Sequence, residues 1–191
     1  MLMEFDIKKA IAAAAYLISR KGGQEGMFVL IKKLYWADRT ALVKWGKSIT
    51  GDSLSSMDKG PVVSTIYDLL KGNGPDTYQI EWDNAILRKR KNFGIFLRKP
   101  ADTASLSERE MEVLNQASLT IDSIRGSIPL WLHKHCPEWT DPHGSSIPID
   151  PSQVLRLAKK TEEEIRKIEE LNDEVRLMNR LLNPRRLSVG A

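Results

Sequence analysis

Every histidine of the chain and its single cysteine fall within residues 133–143, as His133, His135, Cys136 and His143. Imidazole and thiolate are the common ligands of tetrahedral zinc, so this cluster is the first place to look for a metal. Its spacing argues against one. His135 and Cys136 are adjacent, which aims them poorly at a single ion, and neither a Cys-x-x-Cys pair nor an H-E-x-x-H helix accompanies them. Asp38 and Asp52 have the chemistry of paired acid and base groups, yet no nucleophile or tuned histidine adjoins them and no serine occupies a G-x-S-x-G turn. With Arg39 they read instead as a buried ion-pair network under a turn. A helix start near Lys59, Gly60 and Val62 to Ser64 offers free N–H groups to an anion, but the phosphate-loop pattern is missing. The expectation is a protein that is not an enzyme, with no catalytic residue, cofactor or metal.

Two stretches suit binding better than reaction. Arg88, Lys89, Arg90, Lys91, Arg98 and Lys99 lie in a span, 85–99, that contains no acid. A ribbon this basic fits a nucleic-acid backbone or an acidic protein, and a solvated hairpin with edge-protecting lysines is the plain alternative. Near the C-terminus Ile168, Leu171, Val175, Met178 and Leu182 advance in steps of three and four, the narrow seam of a coiled coil. That seam either packs back on its own domain or meets a partner, including a second copy as a homodimer. Arg88, Lys89, Arg90 and Lys91, with Leu171, Val175, Met178 and Leu182, are therefore the candidate partner-binding residues. The charges flanking the seam are evenly mixed, which argues against DNA binding by that segment.

The elements that must carry these residues follow from periodicity and punctuation. Asp6 is placed to cap a helix to about Arg20, which Gly22 and Gly23 end. Met27 to Trp45 has the broad apolar face of a central helix, and Gly60-Pro61 marks the start of a third helix through Leu70. Tyr78, Ile80 and Trp82 alternate with polar residues and read as a strand, followed by strands at Ile86 to Arg90 and Phe93 to Arg98. Ser107 with Glu110 is a capping box opening a fourth helix, and Ser127-x-Pro129 begins a short one. Residues 139–148 read as loop. From Asp150 to Asn183 one long helix is allowed, with an equal case for a break at the second capping box, Thr161 and Glu164; Arg185 to Ala191 reads as a loose tail. The 191 residues, 41% hydrophobic and 28% charged with a net charge of +4, suit one soluble domain with an extension. The predicted class is α+β: a mainly helical single domain with a small two- or three-stranded antiparallel sheet and a long C-terminal helix. A lone cysteine and the lack of a cleavage site or membrane-length apolar run after Lys8-Lys9 predict a cytoplasmic protein that does not enter a membrane.

Four blocks share a further pattern: Leu34-Tyr35-Trp36-Ala37-Asp38-Arg39, Ile49-Thr50-Gly51-Asp52, Met57-x-x-Gly60-Pro61-Val62 and Ile66-Tyr67-Asp68, with a later Leu132-His133-x-x-x-Pro137-Glu138-Trp139. Together they resemble the signature of the Panacea (SocA-like) domain family of phage-associated proteins and bacterial antitoxins. Leu54, where many relatives carry an aromatic residue, and Leu132, where many carry threonine, depart from it. The resemblance implies a Panacea-like domain over residues 1–160 and a helical extension with a tail over 161–191. It marks Trp36, Asp38, Arg39, Gly51, Asp52, Met57, Gly60, Pro61, Tyr67, His133 and Trp139 as motif residues. It also implies an antitoxin-like module that neutralises a co-encoded toxin by direct complex formation, or an adaptor delivering a toxin to the Clp protease. A DNA-binding regulator using the basic hairpin is the competing reading.

Overall fold

The computed structural model describes residues 4–89 and 94–182, without the side chain of Arg180. Helix α1 (Ile7–Ser19) starts where Asp6 accepts the N–H groups of Lys8 and Lys9, and its alanines 12–15 are buried, letting neighbouring helices approach closely. Strand β1 (Gln24–Gly26) leads into α2 (Met27–Trp45), the axis of the core. Leu30, Ile31, Leu34, Tyr35, Ala41 and Leu42 of α2 are buried, and α2 packs on α1 and on α5 (Glu108–Asp122). Even Lys33 lies inside, held by Glu25 at 2.5 Å and Asp122 at 2.9 Å. The expected capping box of Ser107 and Glu110 opens α5.

The small antiparallel sheet occurs twice. β4 (Ile86–Lys89) pairs with β5 (Gly94–Leu97), and β5 with β1. Ile86 and Ile95 are buried on the inner face of this sheet. The second sheet has the order β3 (Val62–Val63), β2 (Leu54–Ser56), β6 (Ile147–Ile149). Neither Val62-Val63 nor Ile147-Ile149 reads as a strand in the sequence. Both are edge strands, where Pro148 is tolerated because its missing N–H faces away from the ladder. In consequence α3 (Ser64–Lys71) begins three residues after Pro61 rather than at it.

Residues 76–85 correct another expectation: they form helix α4 (Asp76–Ala85), not a strand. Tyr78, Trp82 and Ala85 turn inward at helical spacing while Ile80 is 65% exposed, so alternation over five residues had sampled both faces of a helix. Pro75 supplies the start signal, and Gln79 ties the new turn to Leu69 and Asp83. After α6 (Ile128–His135), α7 (Pro151–Leu157) and α8 (Glu162–Leu182) are separate helices. The break falls at the second capping box, with Thr161 and Glu164 exchanging hydrogen bonds and Lys159 at φ 65°. Arg90, Lys91, the start of the expected Phe93 strand and the 185–191 tail lie outside the described residues.

Candidate partner-binding site

The polar side chains of the motif blocks converge on the loop between α2 and α3. Asp38, buried on α2, accepts the N–H groups of Ile49 and Thr50 at 3.0 and 3.1 Å and the hydroxyl of Thr50. Asp52 accepts from Ser53 at 2.8 Å and from Thr65 and Ile66, both at 2.9 Å. The last two are N–H groups of the first turn of α3, so a carboxylate from a distant turn caps that helix and faces its positive end. Burial pushes both carboxyls up, Asp38 to about 7, while the hydrogen bonds they accept pull the other way.

The expected Asp38–Arg39–Asp52 ion-pair network does not form. One residue along a helix is a rotation of about 100°, so Arg39 leaves the loop side and joins Tyr35, one turn earlier, on another face. There Arg39 grips Glu138 through Nε at 2.5 Å and a terminal nitrogen at 3.1 Å, and the Tyr35 hydroxyl donates to the same carboxylate at 2.5 Å. Burial raises the Tyr35 hydroxyl well above its ordinary range and pushes the Cys136 thiol up to about 12, leaving Cys136 a poor nucleophile or metal ligand.

Helix α6 and the segment after it lock the same loop from outside. His133 stacks on Trp139 at 3.6 Å, Trp139 Nε1 donates to the Met57 carbonyl at 2.9 Å, and Thr140 N–H donates to Ser56 at 3.1 Å. His135 instead stacks on Trp131, which meets Trp36 edge-on at 5.0 Å, and His143 is exposed. Among the described residues no group of three His, Cys, Asp or Glu could hold a metal ion. Sequence reasoning missed Lys32. It is 1% exposed and donates to the Gly60 and Pro61 carbonyls at 2.7 and 2.9 Å, tying the tight turn to α2, and burial lowers it to about 7. Gly51, at φ 71°, has no room for a side chain: a Cβ there would lie 1.9 Å from the Glu4 carbonyl oxygen.

The model of the antitoxin SocA-like, Panacea domain matches residues 30–140. The chain belongs to the Panacea family. No curated protein and no solved structure matches it. Panacea membership gives the chain a toxin–antitoxin-related role and suggests a regulatory, non-catalytic one. Most Panacea motif residues surround the α2–α3 loop: Asp38, Asp52 and Trp139 through the bonds above, Gly60 through a φ of 88°, and Tyr67 on α3 beneath the Lys71 ammonium, while Arg39 holds Glu138 on another face of α2. No helix of the described residues is long and apolar enough to cross a membrane.

The residues expected to meet a partner lie on β4, within the matched segment, and on α8, beyond it. Arg88 is half-buried on β4, and Lys89 is exposed with its ammonium 4.6 Å from the Phe96 ring centre. On α8 the body-facing stripe is Ile165, Ile168 and Asn172. Ile168 lies over Gly46, where a Cβ would approach it to 2.8 Å, and Asn172 donates to the Gly46 carbonyl at 2.8 Å. Ile168 thus belongs to the packed face rather than to the seam. Leu171, Met178 and Leu182 are 59%, 59% and 73% exposed, with Leu177 and Leu181 beside them, and Val175 sits at the border at 36%.

Proposed function

We propose that this Panacea domain is an antitoxin that neutralises a co-encoded toxin in the cytoplasm by direct complex formation, covering the toxin's active surface. The carrying observation is the outward stripe of α8, in which Leu171, Met178 and Leu182 stand in solvent on a helix anchored to the body at Ile165. An apolar stripe this exposed on a fixed helix suits burial against another protein, where a few apolar anchors supply most of the affinity. Residues 1–160 form the domain in this reading, since α1 and α7 bury Leu17, Ile18, Val154 and Leu155 in the core that the matched segment shares. Residues 161–191 are the extension that presents the stripe.

The test is co-expression with the protein encoded beside it. Capture of a growth-arresting neighbour, lost on Met178→Glu, is the expected result; failure of the unaltered chain to bind that product contradicts the reading. Toxin half-life in cells with and without the Clp protease separates sequestration from delivery, and sequestration predicts no change. Retained capture by Met178→Glu, with the free protein dimeric and the variant monomeric, would make α8 a homodimer seam instead.

A further inference from the structure

A second surface carries its own chemistry. The N-terminal turns of α2, the 57–62 turn, α3 and β4 enclose a cleft of about 550 Å³. Its floor is apolar: Phe28, 37% exposed, with Ile31, Val62 and the two methionines Met27 and Met57. Methionine side chains are unbranched and adapt to irregular occupants. Its rim is cationic, with Lys59, Lys71 and Arg88 against the single acid Asp58. Lys59 and Lys71 are exposed, and the Arg88 guanidinium reaches the end of α3, 3.5 Å from where a Gly72 Cβ would sit. Lys32, at the inner wall, adds a buried amine.

We infer that this cleft binds an acidic linear segment of a partner protein, seating an aliphatic or aromatic side chain on Phe28, Met27 and Met57, above the buried Ile31 and Val62, while flanking carboxylates pair with Lys59, Lys71 and Arg88. The inference rests on the protein-binding reading above and names the chemistry of a second contact. Charge complementarity chooses the occupant: an apolar floor under a positive rim matches apolar anchors set among acids. Nucleic acid fits less well. Base stacking uses a run of aromatic platforms, and here Phe28 is the one exposed ring of a lining made otherwise of methionine, aliphatic and charged side chains and the half-buried Tyr67.

The probe is a fluorescein-labelled acidic decapeptide with a central Leu-Trp pair, titrated into the full chain at low salt. It should bind, and more weakly as salt rises. Phe28→Asp and the double variant Lys71→Glu/Arg88→Glu should each weaken it at least about tenfold, while Lys8→Glu, an exposed lysine on α1, leaves it unchanged. Circular dichroism and melting of each variant confirm that the fold is kept. Replacing Leu-Trp by Gly-Gly, or the acids by lysines, should abolish binding. No binding by the acidic peptide, equal binding by the Gly-Gly peptide, or a single-stranded oligonucleotide or anionic vesicle binding this cleft in the peptide's place would each overturn the inference. Because the peptide reports on the cleft alone, its failure alongside Met178-dependent toxin capture would sink this site and leave the antitoxin reading standing. The reverse outcome would do the opposite.

Discussion

The α2–α3 loop and the outer half of α8 treat their side chains in opposite ways. In and beneath the loop polar groups are buried and matched, Asp38 and Asp52 to backbone N–H groups and Lys32 to carbonyls, and on another face of α2 the buried Tyr35 and half-buried Arg39 are matched to Glu138. Along α8 apolar groups are bare, with Leu171, Met178 and Leu182 more than half exposed. Buried polar networks fix one conformation because each member left without a partner is costly, whereas an exposed apolar stripe does little for its own fold. The Panacea motif therefore holds a shape, and the proposed partner contacts are the α8 stripe outside it and the cleft that Met57 and Tyr67 help to line.

The comparison breaks first at Glu138. Glu138→Ala should cost about 3–5 kcal/mol of unfolding free energy in urea melts, because it leaves the half-buried Arg39 charge and the buried Tyr35 hydroxyl without their acceptor. A loss no larger than that of a surface substitution would mean the network holds nothing. Asp52→Ala should cost about 1–3 kcal/mol by uncapping Thr65 and Ile66, with the loss concentrated in faster amide exchange along α3.

Titration sharpens the same contrast. Burial lifts Asp38 from 3.8 to about 7, so the folded state holds that proton more tightly than the unfolded chain and its stabilising effect fades as pH rises through that window. Relative to Asp38→Asn, the unaltered protein should lose stability between about pH 5 and 7. Lys32 is lowered from 10.5 to about 7, so the folded state gives up that proton first. Relative to Lys32→Met, the unaltered protein should gain stability between about pH 7 and 9, read as a rising urea midpoint. Parallel pH profiles for variant and parent would contradict either assignment.

Much of the frame was legible in sequence because it is local. Asp6, Ser107–Glu110, Asp150 and Thr161–Glu164 cap helices within a turn of themselves, and the apolar face of α2 repeats at the helical period. What escaped depends on pairing across distance. β3 and β6 are strands because β2 lies between them, and α4 is a helix because Trp82 has a core to enter. The partner of Arg39 is 99 residues away, and Lys32 looks like any surface lysine until the Gly60 and Pro61 carbonyls come to it. The α8 seam was legible as a pattern, but its division into a packed stripe at Ile165, Ile168 and Asn172 and a bare one at Leu171 to Leu182 needed the body of the protein.

On stability the smallest effect belongs to α8. Met178→Glu and Leu182→Glu should change the unfolding free energy by no more than about 0.5 kcal/mol, since both side chains already stand in water. A cooperative loss of stability would show that the stripe is packed in solution.

The most direct measurement is calorimetric titration of the co-encoded toxin into the full chain and into Met178→Glu, with melting of both proteins recorded. If the motif shapes the body and α8 meets the partner, the two proteins melt alike and the variant binds at least about tenfold more weakly. Equal affinities would show that the toxin is held elsewhere and that the bare stripe of α8 has no part in neutralising it.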